Sequence, residues 1–214
     1  MQNLLDRIQI KINKSLFVKD PETTELGRSI LLKGSIMISE KGFESFTFKK
    51  LGAELSTNES SIYRYFTSKH NLLIYLISWY WGYLEYLLVF SCVNVNEPKI
   101  KLNNALKVLL NPILLPKSND FIDNKSINEI IVAESAKTWL TKDVDKENKD
   151  GFFLSFKQPC HRLAEIIKEL SPNYEYPNSL ATTVIEGIIS QKYFDKHLMS
   201  LTDFDKNHKG MDDF

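Results

Sequence analysis

Apolar residues recur at three- and four-residue spacing along most of this chain, and capping residues, proline or glycine punctuate the intervals. That rhythm predicts an all-α fold. Asp20-Pro21-Glu22 reads as a helix start, an acidic cap with proline in the first turn. The run that follows sets Leu26, Ile30, Leu31, Gly34, Ile36, Met37 and Ile38 toward one side and closes at Lys41-Gly42. Thr47 is a good cap for a second helix, Phe48–Leu55, with Phe48, Leu51 and Leu55 on one face. Ser56-Thr57-Asn58 makes a turn, and Asn58 caps a third helix, Glu59–Phe66, whose Ile62 and Phe66 face inward. Ser68 caps a fourth, running from Lys69 to about Phe90.

Beyond a polar break, Pro98 opens a helix to about Leu115, disturbed at Pro112. Residues 116–124 read as a loop and about 125–141 as a helix. The charged run Lys142–Asp150 reads as a loop or frayed end. Phe152–Leu170 is an amphipathic helix stopped by Ser171-Pro172, and Asn178–Leu198 is the last. Only Ile8-Gln9-Ile10-Lys11-Ile12 alternates, as an extended arm would. The expected organisation is an arm over 1–19, a helix-turn-helix head over 20–70, a helical regulatory and dimerisation domain over 71–200, and a tail over 201–214.

Leu72–Val93 imitates a membrane span, with Glu85 its only charge. It also contains Ser78 and Gly82, and its tyrosines are spread along it instead of gathered at the ends. The reading is a buried central helix, with no membrane partner. Anchoring through this segment is the alternative, and fractionation would test it.

Net charge is zero, which does not favour a nucleic-acid binder. Its distribution is more telling: residues 1–70 carry eleven Lys and Arg against eight Asp and Glu, and the remainder is correspondingly acidic. Two cysteines, Cys92 and Cys160, make neither a disulfide framework nor a zinc spacing. They fit a reducing compartment. The N-terminus has no signal-peptide core, so the chain is expected in the cytoplasm.

Gly42–Leu72 carries the chemistry. A helix entering a major groove must show short polar side chains to the bases, while donors and positive charge hold the flanking phosphates. Asn58, Glu59, Ser60 and Ser61 stand at the amino end of the third helix, and Tyr63, Arg64 and Tyr65 follow on its exposed side. Thr47 and Lys49 open the second helix, and Lys69 opens the fourth, where it could clamp a phosphate. The bland alternative is a plain helical hairpin, in which Tyr63 packs and Arg64 pairs with Glu59.

The order Phe46-Thr47, small turn, cap, Ile62-Tyr63-Arg64-Tyr65-Phe66, Ser68-Lys69, Leu72 resembles the DNA-binding region of the TetR/AcrR transcriptional regulators. The likeness covers about Arg28–Leu73. It implies a bacterial homodimer, usually a repressor, with a palindromic operator and a helical body that binds a small ligand. It places Thr47, Ser61, Tyr63, Tyr65 and Lys69 at phosphates, and Lys49, Glu59, Ser60 and Arg64 where base contacts vary. The chain departs from the pattern at Ser56, where a turn glycine is usual, at Thr57, at Gly52, where alanine is common, and at acidic Glu59.

Trp79, Tyr83, Glu85 and Tyr86, with Phe121 and Trp139, are candidates for lining a ligand pocket, although such aromatics are more often core. The helices 152–170 and 178–198 carry apolar stripes and are the expected dimer interface. On the first these are Phe153, Phe156, Leu163, Ile167 and Leu170; on the second, Leu180, Val184, Ile188 and Ile189. Cys160-His161 and the pair Asp195 and His197 lack a third partner at a usable spacing, so no catalysis, metal or cofactor is expected. A helical ligand-binding or interaction protein that has lost DNA binding is the competing reading, motivated by the neutral charge and Glu59.

Overall fold

A computed structural model describes residues 10–111 and 121–203, and all regular structure among them is helical. Nine α-helices follow in order: α1 Glu25–Lys41, α2 Phe48–Glu54, α3 Glu59–Tyr63, α4 Lys69–Cys92, α5 Pro98–Leu110, α6 Asn124–Glu134, α7 Val144–Lys149, α8 Leu154–Leu170 and α9 Pro177–His197. They form two compact units, Met1–Tyr80 with Leu114–Leu154, and Trp81–Ile113 with Ser155–Phe214.

In the first unit, the described part of the N-terminal arm is not a strand. Ile10, Ile12 and Leu16 are buried, and Asn13 caps a 3-10 turn, Lys14–Leu16. Ile8 and Gln9 lie outside the described residues. The Asn13 amide donates to the Asp150 carbonyl at 2.7 Å, and the Val18 N–H to the Tyr65 carbonyl at 2.8 Å. Asp20 caps only a second 3-10 turn, Pro21–Thr23. The helix expected from Asp20 therefore begins at Glu25, where the Thr24 hydroxyl accepts the Gly27 N–H. Two successive caps, Asp20 and Thr24, thus separate arm from helix.

α1 packs along α6 and against α2. Ile30, Leu31, Ile38, Leu51, Ile62, Phe66, Leu72 and Leu73 are fully buried there. Each such side chain contributes about 1.5–3 kcal/mol of transfer free energy. Tyr75 donates to the Glu22 carboxylate at 2.7 Å, and burial raises the pKa of both groups. The expected loop Lys142–Asp150 is instead mostly helix α7. Asp145 and Glu147 in its first turn and Lys146 and Lys149 in its last suit the helix dipole, and Glu147 meets His70 at 2.9 Å. The helix expected over 125–141 ends at Glu134 and tightens into a 3-10 turn, Ser135–Thr138.

α4 gives its first residues to this unit and the rest, from Trp81, to the second. It is long and apolar enough to cross a membrane, but 78% of its most apolar window is buried, as in a core helix. In the second unit, Trp81 packs on Phe156, with ring centroids 4.9 Å apart. Lys101 pairs with Glu169 at 2.6 Å. α9 packs on α5, and the Lys192 ammonium reaches the Leu109 carbonyl at 3.3 Å. α8 accommodates Pro159 in its interior. The disturbance expected at Pro112, and most of the tail, lie outside the described residues.

Candidate nucleic-acid interface

The helix-turn-helix is built from two caps and a left-handed turn. Thr47 takes an extended backbone, and its hydroxyl accepts the Lys50 N–H at 3.2 Å. Such a cap is worth about 1 kcal/mol. α2 ends one residue earlier than expected. The Ser56 N–H donates to Ala53 and the Thr57 N–H to Gly52, at 3.2 and 2.8 Å. This paired closure needs a residue at positive φ, and Ser56 supplies it at 52°. The same closure explains Gly52. A Cβ there would stand 2.9 Å from the Thr57 carbonyl oxygen, so this turn does not admit the common alanine.

Asn58 caps α3 more fully than a cap requires. Its Oδ1 accepts the Ser61 N–H at 2.9 Å and the hydroxyls of Ser60 and Ser61, both at 2.7 Å. Both hydroxyl protons are committed inward, so each serine oxygen offers only lone pairs outward. Those acceptors suit the amino groups of cytosine or adenine. Glu59, half-buried, is a further acceptor beside them.

α3 closes at Tyr63, three residues short of Phe66, and the Tyr65 and Phe66 N–H groups both donate to the Ile62 carbonyl. Tyr63, 48% exposed, leans edge-on against Phe48, and Arg64 is exposed. Tyr65 is not on the exposed side as expected. It is 4% exposed, and its hydroxyl is hydrogen-bonded to that of Thr24 at 2.8 Å, which makes it a strut between α3 and the start of α1.

Lys69 also departs from its expected place. Its ammonium donates to the carbonyls of Phe43, Glu44 and Phe46 at 2.9, 3.2 and 3.2 Å and lies 4.5 Å from the Phe43 ring centre. Three donors meet three acceptors, so this lysine anchors the α1–α2 loop instead of pointing outward at a phosphate. Glu134 holds the same loop from α6, accepting the buried Phe43 N–H at 3.1 Å while pairing with Lys137 at 2.7 Å. Burial alone gives no sign of these two roles in a sequence; the signal is geometric. Of the residues expected at a DNA surface, Thr47, Lys49, Asn58, Ser60, Tyr63 and Arg64 are exposed, and Glu59 and Ser61 are half-buried.

The expected ligand-pocket residues fall in different units. Buried Trp79 meets Phe121 edge-on at 6.1 Å in the first, where Trp139 is half-buried. In the second, Tyr83 is buried and Tyr86 is 39% exposed and stacked on Phe90. Glu85 is engaged by the Arg162 guanidinium, whose Nε donates at 2.6 Å. A groove of about 280 Å³ in the second unit is lined by other residues, Phe156, Lys157, Cys160, His161, Asn178 and Thr182. Burial pushes the Cys160 thiol up to about 12, which leaves it inert at neutral pH. Among the described residues no group of His, Cys, Asp and Glu could hold a metal ion.

On the expected dimer stripes, Phe153, Leu163, Ile167 and Ile188 are buried within the single chain. Leu170 and Leu180 are exposed, Phe156, Val184 and Ile189 are half-buried, and a Cβ on Gly187 would meet nothing within 4 Å.

Residues 30–76 match the family model of the bacterial regulatory proteins, tetR family. Among solved structures the chain is similar to AibR in complex with isovaleryl coenzyme A and operator DNA, with 16% identity, 76% of this chain and 83% of that one covered, and a TM-score of 0.56. It is similar to the superantigen PfiT, with 14% identity, 87% and 92% covered and a TM-score of 0.54. A third likeness is to a TetR-family transcriptional regulator from Bordetella parapertussis, with 13% identity, 78% and 96% covered and a TM-score of 0.48. No curated protein matches the chain. At such identities the structural likenesses speak to fold alone.

Proposed function

We propose that this chain, a member of the tetR family of bacterial regulatory proteins through its residues 30–76, is a dimeric, ligand-responsive repressor that acts in the cytoplasm. One observation carries the DNA-reading half of that proposal. The amino end of α3 presents Glu59, Ser60 and Ser61, the two serines held by the Asn58 cap, and exposed Arg64 follows the helix. A recognition helix reads base edges with its amino-terminal residues, and Thr47, Lys49 and Tyr63 flank it for phosphates.

The dimer would form along α8 and α9, where Leu170, Leu180, Val184 and the open surface at Gly187 remain for a second copy. Two heads related by a twofold axis call for a palindromic operator. AibR, similar in fold, was solved with an acyl coenzyme A and with operator DNA, which favours a small molecule as the signal here too. The ligand acts by binding one head spacing better than the other.

Selection from a random duplex pool tests this reading. A palindrome should be enriched, and Arg64→Ala should change the preferred bases. If no sequence is enriched, specific regulation fails. The likeness to a superantigen gives weight to the other reading, a helical interaction protein without DNA binding, because the fold serves both. Gel shifts indifferent to Tyr63 and Arg64 would favour it.

A further inference from the structure

We infer that the DNA-contacting surface extends beyond the helix-turn-helix onto the N-terminal arm, where Lys19 supplies a phosphate contact at the carboxyl end of α3. This rests on the DNA-binding reading above and adds to it a residue outside the matched segment 30–76.

The arm is registered to the recognition helix by its backbone. The Val18 N–H donates to the Tyr65 carbonyl at 2.8 Å, so Lys19 is fixed one residue from a position that itself follows Arg64. The Lys19 ammonium then stands 5.4 Å from the centre of the Tyr65 ring. The ring's face attracts the ammonium while Lys19 remains exposed, so a long cation is held at one place on the surface. Tyr65 itself is rigid, buried and hydrogen-bonded to Thr24. Lys19 is therefore an exposed cation beside a buried ring, and among the described residues no carboxylate pairs with it.

The charge balance of the arm points the same way. The two acids that follow it turn to local partners: Asp20 accepts the Glu22 N–H at 2.9 Å, and the Glu22 carboxylate accepts the Tyr75 hydroxyl. Lys11, Lys14 and Lys19 are exposed. A helix lying in a major groove has phosphates beyond each of its ends. At the amino end of this one, α2 offers Thr47 and Lys49. At the carboxyl end, Lys69 is consumed by carbonyls and Tyr65 is buried, so Lys19 fills the position those two residues leave vacant.

The test measures affinity for a random-sequence duplex across a salt series, with Lys19→Ala, Lys19→Arg and Lys14→Ala in the full chain. Lys14 carries the same charge on the same arm, but its turn is tied through Asn13 to Asp150. Lys19→Ala should weaken binding on the order of fivefold at low salt and reduce the log–log salt slope by about 0.9 per bound protomer. Lys19→Arg should keep the slope, Lys14→Ala should keep it nearly whole, and thermal unfolding should be unchanged in all three. An unchanged slope in Lys19→Ala overturns the inference while DNA binding stands. Equal losses from Lys19→Ala and Lys14→Ala also overturn it, since general charge would then suffice. If the unaltered chain binds no duplex, the DNA-binding reading itself fails, and this one with it.

Discussion

The carbonyl oxygen of Thr57 lies 2.9 Å from the point where a Cβ on Gly52 would stand. Gly52→Ala must therefore push the turn open and change the angle at which α3 leaves α2. We expect a loss of about 1–3 kcal/mol in urea unfolding and a weaker, less selective complex with the selected operator. A variant as stable as the original would show that the turn relaxes freely.

Ser56 makes the opposite prediction. It holds φ at 52°, a conformation that costs a side-chain-bearing residue about 1 kcal/mol relative to glycine. Ser56→Gly should raise stability by about 0.5–1 kcal/mol and leave operator preference unchanged. Differential scanning calorimetry together with a repeated selection would check both parts.

Lys69 separates anchoring from phosphate contact. Lys69→Met leaves three loop carbonyls without their shared donor, so stability should fall by about 1–3 kcal/mol. The salt slope of DNA binding should move little, in contrast to Lys19→Ala. A large drop in slope with unchanged stability would assign Lys69 to the DNA after all.

Asn58→Ala removes the cap and the common acceptor of Ser60 and Ser61. About 1 kcal/mol of stability should be lost. The serine hydroxyl protons are freed as well, so base preference at their positions should relax from donors toward a mixture. Comparing selected sequences for the two proteins reads this directly.

Lys192 gives a pH signature. Burial lowers its pKa from 10.5 to about 8. Between those values the unfolded chain holds the proton and the folded chain does not, so stability rises with pH through that window. Below it the folded state carries the buried charge at a cost of up to about 3 kcal/mol. Lys192→Met should stabilise the protein at neutral pH and flatten the rise, as measured by denaturant midpoints across the alkaline range.

The helices and caps were legible in the sequence because they depend on local chemistry. Thr47, Asn58 and Ser68 cap as their side chains and spacing require, and the Ser68 hydroxyl does accept the Asn71 N–H. The roles that were not legible depend on partners distant in the chain. Tyr65 faces inward, where its hydroxyl meets that of Thr24, forty-one positions earlier. Lys69 looked like any cation at a helix start until its loop carbonyls were in place. The charged stretch Lys142–Asp150 lacked apolar rhythm, yet His70 gave Glu147 a reason to order it. Lys19 lies beyond the alternating stretch of the arm, and the Val18–Tyr65 bond and the Tyr65 ring give it an address.

Phe43 is held on both sides, its N–H by Glu134 and its carbonyl by Lys69. One of those holds comes from ninety-one positions further along the chain, on the helix that also covers α1. The DNA-reading head is therefore not a portable cassette. Cut out at residue 70 and fused to a foreign body, it would leave the Phe43 N–H without its acceptor and bare the α1 surface that α6 covers. Swapping specificity between such regulators would then succeed by exchanging α2, the turn and α3 within their own frame, and fail by exchanging whole heads.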